Sequence, residues 1–167
     1  ALSALQDISG KVTGEEILSV QAFDNGLVGA PDPTPDVCLR MSGGYHCFLH
    51  GLRTENFLMF EIDIYGSLGR LRIKDSGFDA KLWKSVPHKQ FSGYHELERV
   101  KHPFGQGYQK VLENAVKNIL NAVMKKGKVD STVEDGRAAL EVIAAVRESL
   151  KNNGKLIELP VTNRKNH

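Results

Sequence analysis

Hydrophobic positions along the chain change their period twice. Over the first ten residues Leu2, Leu5 and Ile8 recur at helical spacing and stop at Gly10, the pattern of a helix end closed by a left-handed glycine. From Ile17 to Ile73 the alternation has period two, which predicts strands at 17–23, 37–41, 45–52, 57–65 and 70–73. Turn residues separate them: Asp24-Asn25-Gly26 with Pro31, Pro33 and Pro35, then Ser42-Gly43-Gly44, Arg53-Thr54-Glu55-Asn56 and Gly66-Ser67-Leu68-Gly69. Gaps this short demand antiparallel hairpins, because a parallel crossover needs a dozen or more residues. A meander of at least four strands is expected.

Between Lys81 and His102 the apolar residues Trp83, Val86, Phe91, Tyr94 and Leu97 are irregularly spaced, and the segment reads as one or two further strands with loops. The period then lengthens. Tyr108, Val111, Leu112, Ala115, Val116, Ile119, Leu120 and Val123 form one helical stripe that runs to about Lys126 and stops at Gly127. A second helix is predicted from Ser131, with Glu134 three residues on as the reciprocal partner of a capping box. Leu140, Ile143, Ala144, Val146 and Leu150 carry its apolar face, Asn152-Asn153-Gly154 ends it, and 156–161 reads as a last strand. Strands first and helices last is the order of an α+β fold, with a mainly antiparallel sheet and helices on one face.

The two faces of the predicted strand 57–65 differ. Leu58, Phe60, Ile62 and Ile64 form an expected core face, while Phe57, Met59, Glu61, Asp63 and Tyr65 form the other. The neighbouring strand adds either Tyr45, Cys47 and Leu49 or His46, Phe48, His50 and Leu52 to that second face, according to a register that sequence leaves open. Aromatics and a methionine on the open face of a sheet packed on helices point to a covering partner surface.

Composition narrows the class. A length of 167 residues with 41% hydrophobic content suits a single domain, 1–167, in which 1–10 is the tail of a helix from an upstream part. Twenty-two basic against 20 acidic residues leave a net charge of +2, too little to drive binding to nucleic acid or an anionic membrane. No apolar run approaches the roughly 20 residues that span a bilayer, and the start lacks the basic flank of a secretion signal, so the chain reads as cytoplasmic. Cys38 and Cys47 are then expected as half-buried thiols in a reducing compartment.

Candidate chemistry is sparse. His46 and His50 flank Cys47 at a spacing that would suit a metal on a helix. On a strand it separates the imidazoles by roughly 13 Å, too far for one zinc, so no metal is expected. His88, His95 and His102 recur every seven residues near Tyr94, Glu96 and Glu98 and read as surface histidines unless a pocket holds one. Gly105-Gln106-Gly107 has no strand immediately before it, no third glycine and no lysine-threonine pair, which argues for a flexible helix entry over a phosphate loop.

Two segments carry a family resemblance. The run from Phe60 to Ile73, with Gly66-Ser67-Leu68-Gly69 at its centre, resembles a strand, G-x-x-G turn and strand of the Gfo/Idh/MocA oxidoreductases, the glucose-fructose oxidoreductase and inositol dehydrogenase-like family. Ser131-Thr132-Val133-Glu134-Asp135-Gly136-Arg137, followed by Ala145, Ser149 and Gly154-Lys155, resembles that family's closing helix. The resemblance covers roughly Ile17 to Val161. It implies a C-terminal domain of the dihydrodipicolinate-reductase-like type, which completes a substrate site beside a Rossmann domain holding NAD or NADP. It also implies a homo-oligomer formed through the open sheet face.

The family's glycine-rich phosphate loop, its Glu-Lys-Pro motif with the catalytic lysine and its histidine motif have no match here, and the resemblance implies a cut just after the last of these. This chain alone is therefore expected to lack a cofactor and catalytic residues and not to transfer hydride, NAD or NADP belonging to the parent protein. The resemblance carries three substrate-wall residues over to Asn56, Phe57 and Tyr108, whose amide, ring and phenol suit a sugar, polyol or related small molecule. Tyr108 reads equally as a staple on its own helix. The alternative function is a freestanding dimerisation or ligand-binding module of the same fold.

Overall fold

The computed structural model describes residues 15–27, 33–53, 55–101 and 110–160. The chain divides into two compact units, one formed by Ala1–Phe57 with Asp130–His167 and the other by Leu58–Val129.

The first unit holds a four-stranded antiparallel sheet of β1 (Ile17–Asp24), β2 (Pro35–Met41), β3 (His46–Leu49) and β8 (Ile157–Glu158), in the order β3-β2-β1-β8. The period-two pattern does its expected work here. Val20 and Ala22 of β1 and Val37, Leu39 and Met41 of β2 point to one face and are fully or nearly fully buried. The helix α2 (Val133–Lys151) covers that face with Val142, Ala145 and Val146. Burial of each such valine is worth about 1.5–3 kcal/mol, which makes this interface the main source of the unit's stability.

Two polar devices fix α2. At its start Thr132 is the N-cap: its hydroxyl accepts from the Asp135 N–H, and the Asp135 carboxylate accepts from the Thr132 N–H at 2.7 Å. The capping box is real but sits one residue later than the Ser131–Glu134 pair expected, because both T-x-x-D and S-x-x-E satisfy the same spacing and only the backbone chooses. At its end the buried Ser149 hydroxyl accepts from the Ala22 N–H at 2.9 Å and donates to the Lys155 carbonyl at 2.7 Å, tying helix to strand. Gly154, at φ +80°, then turns the chain under the Phe23 ring.

The second unit holds β4 (Ile62–Gly66), β5 (Gly69–Lys74), β6 (Asp79–Pro87) and β7 (His95–Val100), antiparallel and in sequence order. Gly66 pairs with Gly69 across the two-residue Ser67-Leu68 turn, as the G-x-x-G pattern implied. A side chain at Gly69 would meet the Trp83 carbonyl oxygen at 2.0 Å, so glycine is needed for β5 to approach β6. The helix α1 (Val111–Val123) also belongs to this stretch, and its apolar stripe, with Leu112 82% exposed and Val116 and Ile119 at 56%, has no buried member.

Three expectations are corrected. The single meander is two sheets, because β3 pairs only with β2 and β4 only with β5 among the described residues. The predicted strand 57–65 begins at Ile62: Phe57 to Glu61 keeps the alternating pattern but lies outside the ladder. Its supposed core face is not buried, since Leu58 is 83% and Ile64 38% exposed; the buried core lies on β1, β2 and α2. Alternation reports that a strand has two unlike faces, but burial depends on what packs there.

Candidate functional site

The densest polar arrangement lies on one face of the second sheet. Register sets it: Asp63 faces Arg72, Tyr65 faces Arg70, and Arg70 in turn faces Trp83, so all five side chains share a face. The Arg70 guanidinium donates through Nε to Asp63 Oδ1 at 2.7 Å and through a second nitrogen to Oδ2 at 2.5 Å, a bidentate fork. Its carbon lies 4.9 Å from the Tyr65 ring centroid and 5.2 Å from that of Trp83. Arg72 donates to Glu61 Oε2 at 2.9 Å and lies 3.7 Å from Asp63, while Lys74 reaches Glu61 at 3.4 Å.

The charge arrangement moves the acids downward. The Arg70 hydrogen bonds, more than its charge alone, hold the Asp63 carboxyl below its ordinary range, and the Arg72 hydrogen bond does the same for Glu61. A hydrogen bond from Lys81 lowers Asp79 on the same sheet. Carboxylates held ionised in this way make poor proton donors near neutral pH. The network is thus suited to rigid recognition, with a cation sandwiched between two aromatic rings and both arginines engaged by acids. Pattern reading found Glu61, Asp63 and Tyr65 but missed Arg70, Arg72 and Trp83; pairing the two alternations about the Gly66–Gly69 turn was the available signal.

Of the expected substrate-wall residues, Asn56 and Phe57 are described. Asn56 lies in the turn before β4, where its backbone N–H donates to the Arg53 carbonyl at 3.1 Å, and Phe57 follows it with 54% exposure. Tyr108 lies outside the described residues, as do His102, the Gly105–Gly107 segment and the helical start at 1–10. Asn56 and Phe57 are neighbours in the chain, and the expected part of Tyr108 in the wall lies outside the described residues.

Register also resolves the cysteines and histidines. Cys38 faces Phe48 and Cys47 faces Leu39, so the two thiols point to opposite sides of their sheet; both are free, and burial raises both above the ordinary thiol range. His46 and His50 lie on the face away from the core, His46 stacked on Phe48 and His50 3.6 Å from Asp36. Among the described residues no three His, Cys, Asp or Glu side chains gather as a metal site.

A dinucleotide needs backbone N–H groups at a helix start, with glycines that let the pyrophosphate approach. The α2 start does not fit this requirement. Its N–H groups are engaged by Thr132, and Glu134 and Asp135 place negative charge where phosphate would bind. Sheet pairing is antiparallel throughout the described residues, without the parallel crossover that opens a phosphate loop.

No protein-family model matches the sequence, and no curated protein sequence matches it. The fold, in contrast, is shared with solved oxidoreductases. Aldose-aldose oxidoreductase from Caulobacter crescentus, solved with glycerol, is similar over 94% of this chain with a TM-score of 0.63 and 14% identity. UDP-N-acetylglucosamine 3-dehydrogenase from Acidithiobacillus ferrooxidans is similar over 90% with a TM-score of 0.67 and 16% identity. The WlbA dehydrogenase from Bordetella pertussis, solved with NADH and UDP-GlcNAcA, is similar over 95% with a TM-score of 0.62 and 17% identity. This chain spans 45%, 46% and 43% of those three proteins, slightly less than half of each.

Proposed function

We propose that a chain sharing its fold with slightly less than half of several sugar oxidoreductases serves as the C-terminal substrate-binding and oligomerisation domain of an NAD(P)-dependent oxidoreductase of the Gfo/Idh/MocA type. The single observation that carries the reading is the fold similarity over 90–95% of the chain to three enzymes described as sugar or nucleotide-sugar oxidoreductases. The substrate class is a sugar, polyol or related carbonyl or hydroxyl compound. The parent enzyme works in the cytoplasm. Its Rossmann domain supplies NAD or NADP and hydride transfer; this domain supplies one wall of the pocket, with Asn56 and Tyr108 hydrogen-bonding hydroxyls and Phe57 packing on the ring.

Oligomerisation is assigned to the open sheet face carrying Glu61, Asp63, Tyr65, Arg70 and Trp83. A rigid aromatic and arginine cluster with a polar rim is the composition of residues that anchor interfaces. The reading is tested by titrating NADH into this chain and following cofactor fluorescence. No binding and no reduction or oxidation of sugars is expected from the chain alone, with activity appearing only when a dinucleotide-binding domain is supplied. Tight NADH binding by this chain would refute the division of labour. A chain that stays silent with every such domain, yet dimerises or binds sugars, would favour the freestanding module.

A further inference from the structure

The hairpin joining β6 to β7 is closed by the His88 side chain. His88 ends the ladder: its backbone N–H donates to the Tyr94 carbonyl at 2.9 Å. Its ring turns into the loop, where Nδ1 lies 3.1 Å from the Gln90 nitrogen and 3.2 Å from the Phe91 nitrogen. Both of those groups are N–H donors, so Nδ1 must present its lone pair, and the proton of the neutral ring must sit on Nε2. The ring also packs on Phe91, with centroids 5.0 Å apart.

We propose that His88 makes this hairpin a pH-sensitive element, closed while the imidazole is neutral and opened when it is protonated. Protonation places an N–H on Nδ1, facing two further N–H groups, and both acceptor bonds are lost together. From β7, Glu96 lies 3.9 Å from Nε2, the ring nitrogen that does not face the Gln90 and Phe91 N–H groups. Glu98, two residues further along β7, is paired in register with Lys84 of β6; Lys89 adjoins His88 in the loop, and His95 faces Pro87 on the other side of the sheet. The loop that would be released carries Phe91, 60% exposed, and Tyr94, 71% exposed, so opening re-aims two aromatic side chains at the tip of the sheet.

The test is a pH series from about 8 to 5. Nitrogen-15 shifts of His88 in the full chain should show the Nε2–H form at the upper end. Amide protection of Gln90 and Phe91, corrected for intrinsic exchange, should fall by on the order of tenfold at the lower end. His88→Asn keeps an oxygen acceptor without a titrating proton and should hold that protection constant. Trp83 fluorescence reports whether each variant is folded. An Nδ1–H form at pH 8, unchanged protection across the series, or an equal loss in His88→Asn would each overturn the proposal.

Discussion

Ser149 shows how much one side chain can hold. It is fully buried between α2 and β1, and its hydroxyl is both acceptor for the Ala22 N–H and donor to the Lys155 carbonyl. Ser149→Ala would leave the buried Ala22 donor without that acceptor. It should cost about 1–3 kcal/mol, read as a lower urea midpoint. Asp63 and Glu61 act at the same scale. Their folded carboxyls are lowered by Arg70 and Arg72, so the stability they contribute is complete above the unfolded carboxylate range and is lost as pH falls through the lowered folded values. Acidification below about pH 4 should therefore loosen the second sheet. Trp83, the only tryptophan and a neighbour of Arg70, should report it by fluorescence, and Asp63→Asn should abolish much of that transition.

At the scale of elements, the G-x-x-G turn is the feature most directly written in residues. Ser67-Leu68 closes a two-residue hairpin, and Gly69 sits where a methyl group would collide with the Trp83 carbonyl. Gly69→Ala should destabilise the protein by roughly 1–3 kcal/mol, through strain that pries β5 from β6. Hydrogen exchange should localise the loss to β5 and β6 and spare α2. Of the elements expected from periodicity, β1, β2, β5 and α2 fall close to their predicted spans, because each has a clean period and a definite stop signal. The segment Phe57–Glu61 fails, and for a physical reason. Alternation is a property of one strand, whereas strand formation needs a partner ladder, and none of the described residues provides one there.

For the whole molecule, assembly through the charged and aromatic sheet face is the assignment with the clearest solution test. Light scattering should give a mass larger than 18.5 kDa, and Tyr65→Asp should return the chain to that mass with unchanged circular dichroism. A strict monomer at high concentration would remove the oligomer assignment while leaving the fold comparison intact.

What the sequence by itself determined is local: the period of each element, the turn at Gly66–Gly69, the cap spacing before α2 and the absence of a dinucleotide fingerprint, since these depend on residues a few positions apart. Only the tertiary structure decided that the strands divide into two sheets. It also set Cys38 and Cys47 on opposite faces, made Thr132 the N-cap instead of Ser131, and packed Arg70 between Tyr65 and Trp83. Register and packing partner fix these features, and a shift of one residue in pairing would reverse every face. Asn56 and Phe57 adjoin in the turn before β4, and the substrate role proposed for them comes from the family resemblance, which no local period or turn signal encodes.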